Sequence, residues 1–410
     1  MNKWSRRGCF AVIAAGKVLF YKGKLYIYFP GSSHFYKSLI MSSRRDFLQK
    51  LSIGLSAAAL TPLSSPASVF ADPGKPDKQL RIALMGLGGY ASIVARAMKE
   101  CKRAVLTGIV TGTPSKIAAW KANYGIPDKN VYSYDTLHTI AGNPDIDLVY
   151  ITTPNSLHHR HVLQVAAAGK HVICEKPVAD NAQQAREMIM ACKKAGVKFY
   201  VGYRLHFEPH TRELVSMRKA GAFGNIMHVN NYMGFKVGNP NQWRLKKALA
   251  GGGALMDVGI YALNGARYAT GEEPVWVTAQ ETKTDMVKFA EVDETVTFQL
   301  GFPSGALASC GTTYNFNNYE RLYLIGDKGF AELSPAFGYG PIRGRTHIGP
   351  MSQPVVTHQA AQMDGLANCI LNGTPDPGMT GEEGLKDMLV IDAIYESLRK
   401  NGEKIYLRKN

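Results

Sequence analysis

Ile82-Ala83-Leu84-Met85-Gly86-Leu87-Gly88-Gly89-Tyr90-Ala91 is the stretch that decides the fold. Four apolar residues read as a short buried strand, the glycines as a tight turn, and residues 92–101 as the helix that follows. A strand, a glycine turn and a helix start bring backbone N–H groups and the positive end of a helix dipole to one point, which suits a dinucleotide pyrophosphate. A lone GxGxxA is weak evidence, because such turns also serve packing. Its place at the first strand–helix junction of a repeating pattern gives it weight. Gly86, Leu87, Gly88, Gly89 and Tyr90 are therefore expected to hold a cofactor.

Outward from this turn the pattern alternates. Strands are predicted over 81–85, 105–110, 131–132, 148–152, 171–174 and 198–201, with helices over 92–101, 115–124, 136–141, 157–168 and 182–194. Repeated strand–helix units argue for a parallel sheet wound on both faces, a Rossmann-type α/β domain over 80–202. After Gly202 the rhythm changes. Helices are predicted over 207–220 and 254–268, and longer strands over 226–235, 275–283, 292–300, 305–313, 320–325 and 329–333. Pro303-Ser304-Gly305 and Gly326-Asp327-Lys328-Gly329 read as hairpin turns. Helices over 359–371 and 381–399 end the chain. Residues 203–410 are thus expected to form an α+β substrate and oligomerisation domain with an open, mostly antiparallel sheet.

The chain has 410 residues and a formal charge of +16, which at first sight is a nucleic-acid signal. Residues 1–71 hold 10 Lys+Arg against 1 Asp+Glu, leaving 38 against 31 in the remainder. An excess of seven over that length, with no basic run, is a solvated surface, and no nucleic-acid partner is expected. Ser43-Arg44-Arg45-Asp46-Phe47-Leu48-Gln49-Lys50 is a twin-arginine signature, followed by a mildly apolar stretch over 51–63 and Val69-Phe70-Ala71 as a cleavage site. Met41 stands where an initiator would, so the leader is expected over 41–71, with 1–40 upstream of the natural start and 72–79 as a linker. Export through the twin-arginine machinery to the periplasm is the expectation, without stable membrane insertion. That route carries folded proteins, and so suits one that loads a nucleotide before leaving the cytoplasm. Cys101, Cys174, Cys192, Cys310 and Cys369 form no CxxC pair and read as thiols.

Three further segments carry chemistry. Thr111-Gly112-Thr113-Pro114-Ser115-Lys116 ends the second strand without the acid that usually meets the ribose 2′-hydroxyl of NAD. Hydroxyls and a lysine suit a 2′-phosphate, so Thr111 and Lys116 point to NADP, with NAD as the alternative if an acid arrives from elsewhere. Asn155, in Thr153-Pro154-Asn155-Ser156-Leu157-His158 after the fourth strand, is expected at the nicotinamide ribose, and His158 beside it on the cofactor side. His158, His159 and His161 crowd one helical turn without a carboxylate or thiol, so no metal is expected. Glu175-Lys176-Pro177 ends the fifth strand, at the carboxyl edge where ligands lie in such folds. Asp257 and Tyr261, four apart, share a helix face as an acid–base pair, and Gly251-Gly252-Gly253 lets that helix begin close to another backbone.

The run Ala168-Gly169-Lys170-His171-Val172-Ile173-Cys174-Glu175-Lys176-Pro177 resembles the central signature of the Gfo/Idh/MocA oxidoreductases. Gly202-Tyr203-Arg204-Leu205-His206-Phe207-Glu208-Pro209, Gln242-Trp243-Arg244-Leu245 and residues 251–274 are similar to its glucose–fructose oxidoreductase branch, which Tyr261 marks where many members carry His. The resemblance implies catalytic Lys176, Tyr261 and Asp257. Tyr261 would be the general acid–base at a sugar C1 hydroxyl, Lys176 its charged assistant, and Asp257 the holder of a neighbouring hydroxyl. It further implies that Glu175, Lys176, Arg204, Trp243 and Arg244 line the cofactor side, and that Tyr203 lies near substrate and phosphates. An aldose would be oxidised to its lactone and the hydride handed to a second sugar in ping-pong order, by a homodimer or homotetramer. The branch's long proline-rich arm is missing, since only 72–79 intervenes, which leaves cofactor retention open. A simple aldose or polyol dehydrogenase, a glycoside hydrolase that keeps its dinucleotide, and a non-catalytic binding protein stay as alternatives. Replacing Arg44 and Arg45 together by Lys is expected to leave unprocessed precursor in the cytoplasm; fractionation and immunoblotting would refute the leader if mature protein still appeared outside.

Overall fold

The computed structural model describes residues 78–376 and 378–407, together with four short strands nearer the N-terminus. Those strands, Ala11–Ile13, Gly16–Tyr21, Lys24–Tyr28 and Leu39–Ile40, pair as an antiparallel sheet in a unit of their own, Met1–Pro76. The twin-arginine segment and the leader over 41–71 lie outside the described residues, as does most of the 72–79 linker.

In the second unit, Asp77–Asn410, a six-stranded parallel sheet comes first. Its strands are β1 (Leu80–Met85), β2 (Ala104–Val110), β3 (Val131–Tyr132), β4 (Leu148–Ile151), β5 (His171–Cys174) and β6 (Phe199–Val201). Their spatial order is β6-β5-β4-β1-β2-β3, the doubly wound arrangement expected. Both faces are covered, and β1 and β4 accordingly read as unbroken apolar runs: Ile82, Leu84, Met85, Val149 and Tyr150 are all fully buried. The covering helices include α1 (Gly89–Ala97), α2 (Ile117–Tyr124), α3 (His158–Ala167) and α4 (Ala182–Lys194). Asn181 caps α4, its side chain accepting from the Gln184 amide at 2.9 Å. Residues 137–142, read as an α-helix, form a 3-10 helix instead.

After α5 (Pro209–Lys219) the chain builds a second sheet. Its strands are β7 (Ile226–Gly234), β8 (Trp276–Thr282), β9 (Thr295–Gly301), β10 (Leu307–Thr313), β11 (Tyr319–Gly326), β12 (Gly329–Leu333), β13 (Gly344–Thr346), β14 (Gly349–Pro350) and β15 (Ile405–Tyr406), in the order β14-β13-β12-β11-β7-β10-β9-β8-β15. Every pairing is antiparallel except β7 with β10. The two predicted turns close hairpins, with Gly305 at φ +90° in one and Gly326 paired to Gly329 across the other. Strands β13 to β15 escaped sequence reading because two or three residues show no alternation.

Helix α6 (Ile260–Thr270) packs on this sheet and is entered through a π-helical turn, Leu255–Gly259. The last helices, α7 (His358–Asn372) and α8 (Gly381–Arg399), return to the parallel sheet. Asp364 accepts from the amides of Lys102 and Arg103, Asp392 accepts from the Ala182 amide at 2.9 Å, and the Val201 amide donates to the Met379 carbonyl. Sequence alone groups these helices with 203–410; in space they clamp both layers, since Ser397 on α8 also accepts from Ala279 on β8.

One buried charge cluster ties α6 to α8. Arg267, with 4% of its side chain exposed, donates to Asp387 at 2.6 Å, Glu273 at 2.7 Å and Glu383 at 2.7 Å. Asp387 is fully enclosed and also receives Asn264 and Tyr203. Removing Asp387 takes from Arg267 its only fully buried counter-ion, leaving the part-exposed Glu273 and Glu383, and leaves Tyr203 and Asn264 without their acceptor. Asp387→Ala is therefore expected to cost about 3–5 kcal/mol, seen as a fall in denaturation midpoint, whereas the apolar pair Arg267→Met with Asp387→Leu recovers most of the loss. A double variant no more stable than the single one would show that the pair contributes more than it costs.

Candidate active site

The glycine turn is built as the sequence requires. Gly86 stands at φ +89°, and a Cβ there would lie 2.8 Å from Thr153 Cγ2, so only glycine lets β1 turn beneath β4. Gly88 and Gly89 are the opposite case: a Cβ on either would meet nothing within 4 Å. Open space above two glycines at the start of α1 is the cradle a pyrophosphate fills. Tyr90 follows on the same turn, its ring 6.0 Å from that of Tyr339 in the second domain. At the end of β2 Thr111 is buried and accepts from the Thr113 amide, while the Lys116 ammonium donates to the Leu87 carbonyl at 2.8 Å. Lys116 thus stands on the glycine turn itself. Tyr134, which sequence reasoning passed over, lies against Gly112 in the same loop.

Lys176, at the end of β5, points across to the π turn. Its ammonium donates to the main-chain carbonyl of Asp257 at 2.5 Å and reaches the carboxylate at 3.3 Å. The other carboxylate oxygen of Asp257 accepts from Arg244 Nε at 2.7 Å and the Tyr314 hydroxyl at 3.0 Å. Burial alone would raise the Asp257 carboxyl; the two cations overcome it and hold the group well below the usual carboxylate range. Burial works against the Lys176 ammonium as well, and the nearby Tyr261, Asp257 and Glu175 outweigh it, so the lysine stays charged. Tyr261 lies under these groups, with the Lys176 ammonium 4.8 Å from its ring centre and Arg204 Nη2 3.4 Å from its hydroxyl. Lys176, Arg204, Arg244, Asp257 and Tyr261 share one cavity of about 770 Å³, closed on its far side by Phe337 and Tyr339.

Gly251-Gly252-Gly253 does what its composition implied. A Cβ on Gly253 would sit 2.0 Å from the carbonyl oxygen of Asp293. The Asp293 side chain caps the π turn, accepting from the amides of Gly253 and Leu255 at 2.7 Å each, and is itself held by the Tyr395 hydroxyl. Asp293 was invisible in the sequence, being one acid in a loop 40 residues away.

The other expected site residues make contacts of their own within the protein. His158 is fully buried, its ring nitrogens 2.8 and 2.9 Å from the carbonyls of Pro177 and Thr153, a pin between two loops; burial pushes its pKa down to about 4, against the pull of those two carbonyls. Asn155 donates to the Ala250 carbonyl and ties the parallel sheet to the short helix Lys247–Ala250. Glu175 lies beneath Lys176, accepting from Tyr150 and from the Lys176 amide; burial raises its carboxyl against those bonds. Tyr203 turns away to Asp387 and lines a small recess behind Tyr261. Trp243 stacks on the Arg244 guanidinium at 4.6 Å and so supports a wall of the cavity.

A family model described as an oxidoreductase family with an NAD-binding Rossmann fold matches residues 80–203, and the GFO/IDH/MocA C-terminal domain matches 211–332. The chain belongs to the Gfo/Idh/MocA oxidoreductase family. It is an enzyme of that family with a nicotinamide-cofactor domain. An aldose–aldose oxidoreductase from Caulobacter crescentus, solved with glycerol, is 44% identical, with a TM-score of 0.78 over 80% of this chain and 100% of that one. A D-xylose 1-dehydrogenase (NADP(+)) of Haloarcula marismortui is 29% identical over 331 residues, 78% of this chain and 91% of the relative. The D-glucoside 3-dehydrogenase of Escherichia coli is 28% identical over 341 residues, 78% and 95% respectively.

Sequence reasoning assigned nothing to Phe337, Gly338 and Tyr339, although a tyrosine in a glycine- and proline-rich loop was there to be noticed. The loop between β12 and β13 carries no periodicity, so only the fold shows that it lines the cavity shared by Lys176 and Tyr261. The two glycines separate fold from ligand. Gly86→Ala is expected to destabilise the nucleotide-free enzyme by roughly 1–3 kcal/mol. Gly88→Ala should leave its melting temperature unchanged yet weaken nucleotide binding at least tenfold by calorimetry; unimpaired binding would displace the pyrophosphate from this turn.

Proposed function

We propose that this oxidoreductase oxidises an aldose at C1 to its lactone on NADP and returns the hydride to a second sugar, in the periplasm after twin-arginine export. The observation that carries the reading is the meeting of Tyr261, Lys176 and Asp257 in one cavity, which Lys176 enters from the carboxyl edge of the parallel sheet. The names of its relatives, an aldose–aldose oxidoreductase and an NADP-dependent xylose dehydrogenase among them, support sugars and NADP. The absence of an acid in 111–116, with Lys116 standing on the turn, supports NADP over NAD.

The start of α1 at Gly88 and Gly89, with Lys116 beside the turn, would hold a nicotinamide dinucleotide, which would supply a hydride acceptor in one half of the reaction and a donor in the other. The chain's own residues manage the proton and the pose. Tyr261 takes the C1 hydroxyl proton as the C–H bond breaks and returns it to the carbonyl oxygen of the second sugar. Lys176, above its ring, stabilises negative charge on that oxygen and the developing alkoxide. Asp257 gives one carboxylate oxygen to Arg244 and Tyr314, and the other, in longer contact with Lys176, is free to accept from a sugar hydroxyl. Phe337 and Tyr339 line the same pocket.

The test is to purify mature protein without added nucleotide, denature it, and identify what is released by mass spectrometry. Stoichiometric NADP(H), with lactone and alditol formed from a sugar pair in the absence of added cofactor, is the expected result. Tyr261→Phe and Lys176→Ala should each lower turnover by roughly 10²–10⁴-fold while retaining the nucleotide. Empty protein that works only with added NADP would replace sugar-to-sugar transfer by ordinary dehydrogenation, and near-normal turnover in Tyr261→Phe would remove the acid–base assignment.

A further inference from the structure

Arg204 is among the largest fully buried side chains, with 2% of its surface exposed, and among the described residues no carboxylate lies within ion-pairing distance of it. That is unusual. A guanidinium taken out of water normally has an anion beside it, because an uncompensated interior charge is costly. Here every acceptor is neutral. Nη1 donates to the Gly338 carbonyl at 2.9 Å and to His358 Nδ1 at 2.8 Å; Nη2 donates to the Phe337 carbonyl and, at 3.4 Å, to the Tyr261 hydroxyl. Nε has no partner. The guanidinium also lies over two aromatic faces, Tyr339 at 4.5 Å and Tyr261 at 5.3 Å.

An arginine has donors only, so the Tyr261 oxygen accepts this bond and its single proton must point away from Arg204. Lys176 does not duplicate the contact: its ammonium is bound to Asp257 and stands over the face of the ring. The remaining ionisable groups around the pair are already committed. Asp257 is neutralised by Lys176 and Arg244, and Glu175 is bonded by Tyr150. Tyr90 and Tyr339 are pushed up by burial and stay protonated, and His358 is held neutral at about 4 by burial and by Arg204 itself.

We infer that Arg204 is a positioning residue for proton transfer, aiming the Tyr261 hydroxyl proton away from the protein interior and drawing negative charge onto that oxygen. The inference rests on Tyr261 as the proton carrier. In the oxidation half the sugar loses a hydride to the nicotinamide and its hydroxyl proton to the Tyr261 oxygen. In the reduction half the second sugar's carbonyl carbon gains the hydride and its oxygen the proton. Tyr261 therefore enters the oxidation half as the tyrosinate and leaves the reduction half as one; that charged form gives Arg204 its anion, so the bond weakens as the proton arrives and strengthens as it departs.

The experiment compares wild type, Arg204→Met, Arg204→Lys and Tyr261→Phe, each loaded with nucleotide, by single-turnover reduction with an aldose across pH. Arg204→Met is expected to slow this half-reaction roughly 10²-fold at neutral pH and to move the rising limb of its pH profile upward by about one unit, a tenfold change in proton affinity. Arg204→Lys should fall between the two, which keeps the test open if the Met variant folds poorly. Tyrosinate absorbance in nucleotide-free protein, assigned by its loss in Tyr261→Phe, should shift in parallel. A uniform loss at every pH with an unmoved profile would overturn the inference and reduce Arg204 to a support for Phe337 and Gly338. Full activity in Tyr261→Phe would instead overturn the acid–base reading, so the two failures are distinct.

Discussion

The ammonium of Lys176 and the backbone and carboxylate of Asp257 join residues 81 positions apart, one at the carboxyl edge of the parallel sheet and one on the helix that covers the antiparallel sheet. The polar lining of the cavity is built around that junction. Burial disfavours both charges, lowering the Lys176 ammonium and raising the Asp257 carboxyl, and the opposite charges that docking brings beside each outweigh it. Docking the two sheets thus takes both groups out of water only as it supplies their counter-charges.

The π turn at Leu255–Gly259 is the local form of the same constraint. An ordinary α-helical turn directs each carbonyl at the amide four residues on. In the wider turn the Asp257 carbonyl receives Lys176, while Asp293 satisfies the amides of Gly253 and Leu255 at the turn's start. The three glycines permit the approach, and π turns are over-represented at functional sites for this kind of reason. Asp257 and Tyr261 then face one cavity, as their spacing implied, though the helix that carries them is not the uniform one their spacing suggested.

What was legible in the sequence follows from what is local. Strands buried on both faces announce themselves as apolar runs, and the turn is legible at Gly86 because only glycine suits its positive φ and its approach to Thr153. Lys176, Asp257, Tyr261 and Arg244 were found and do converge. His158, Asn155 and Tyr203 were picked from the same segments, and their side chains tie elements together within the protein, a role that sequence spacing does not reveal. Asp293, Tyr314 and Tyr339 were missed because each arrives from a distant loop, and no window of neighbouring residues records a contact made across two sheets. The short strands β13 to β15 fell below the length at which alternation can be seen.

The order in which the chain is made gives the clamp formed by the last two helices a further meaning. Strand β7 lies at the centre of the second sheet, yet its neighbours β10 and β11 are synthesised some 80 residues later, and helix α8 reaches back to β6 and α4 from the far end of the chain. Contacts of such long sequence separation make for slow folding, because chain entropy is lost well before the contacts repay it. The residues of the glycine turn are made early, whereas the helix that clamps the two layers comes last. A nascent chain of this design carries the residues of its cradle long before its clamp, and the clamp is set only in the finished molecule.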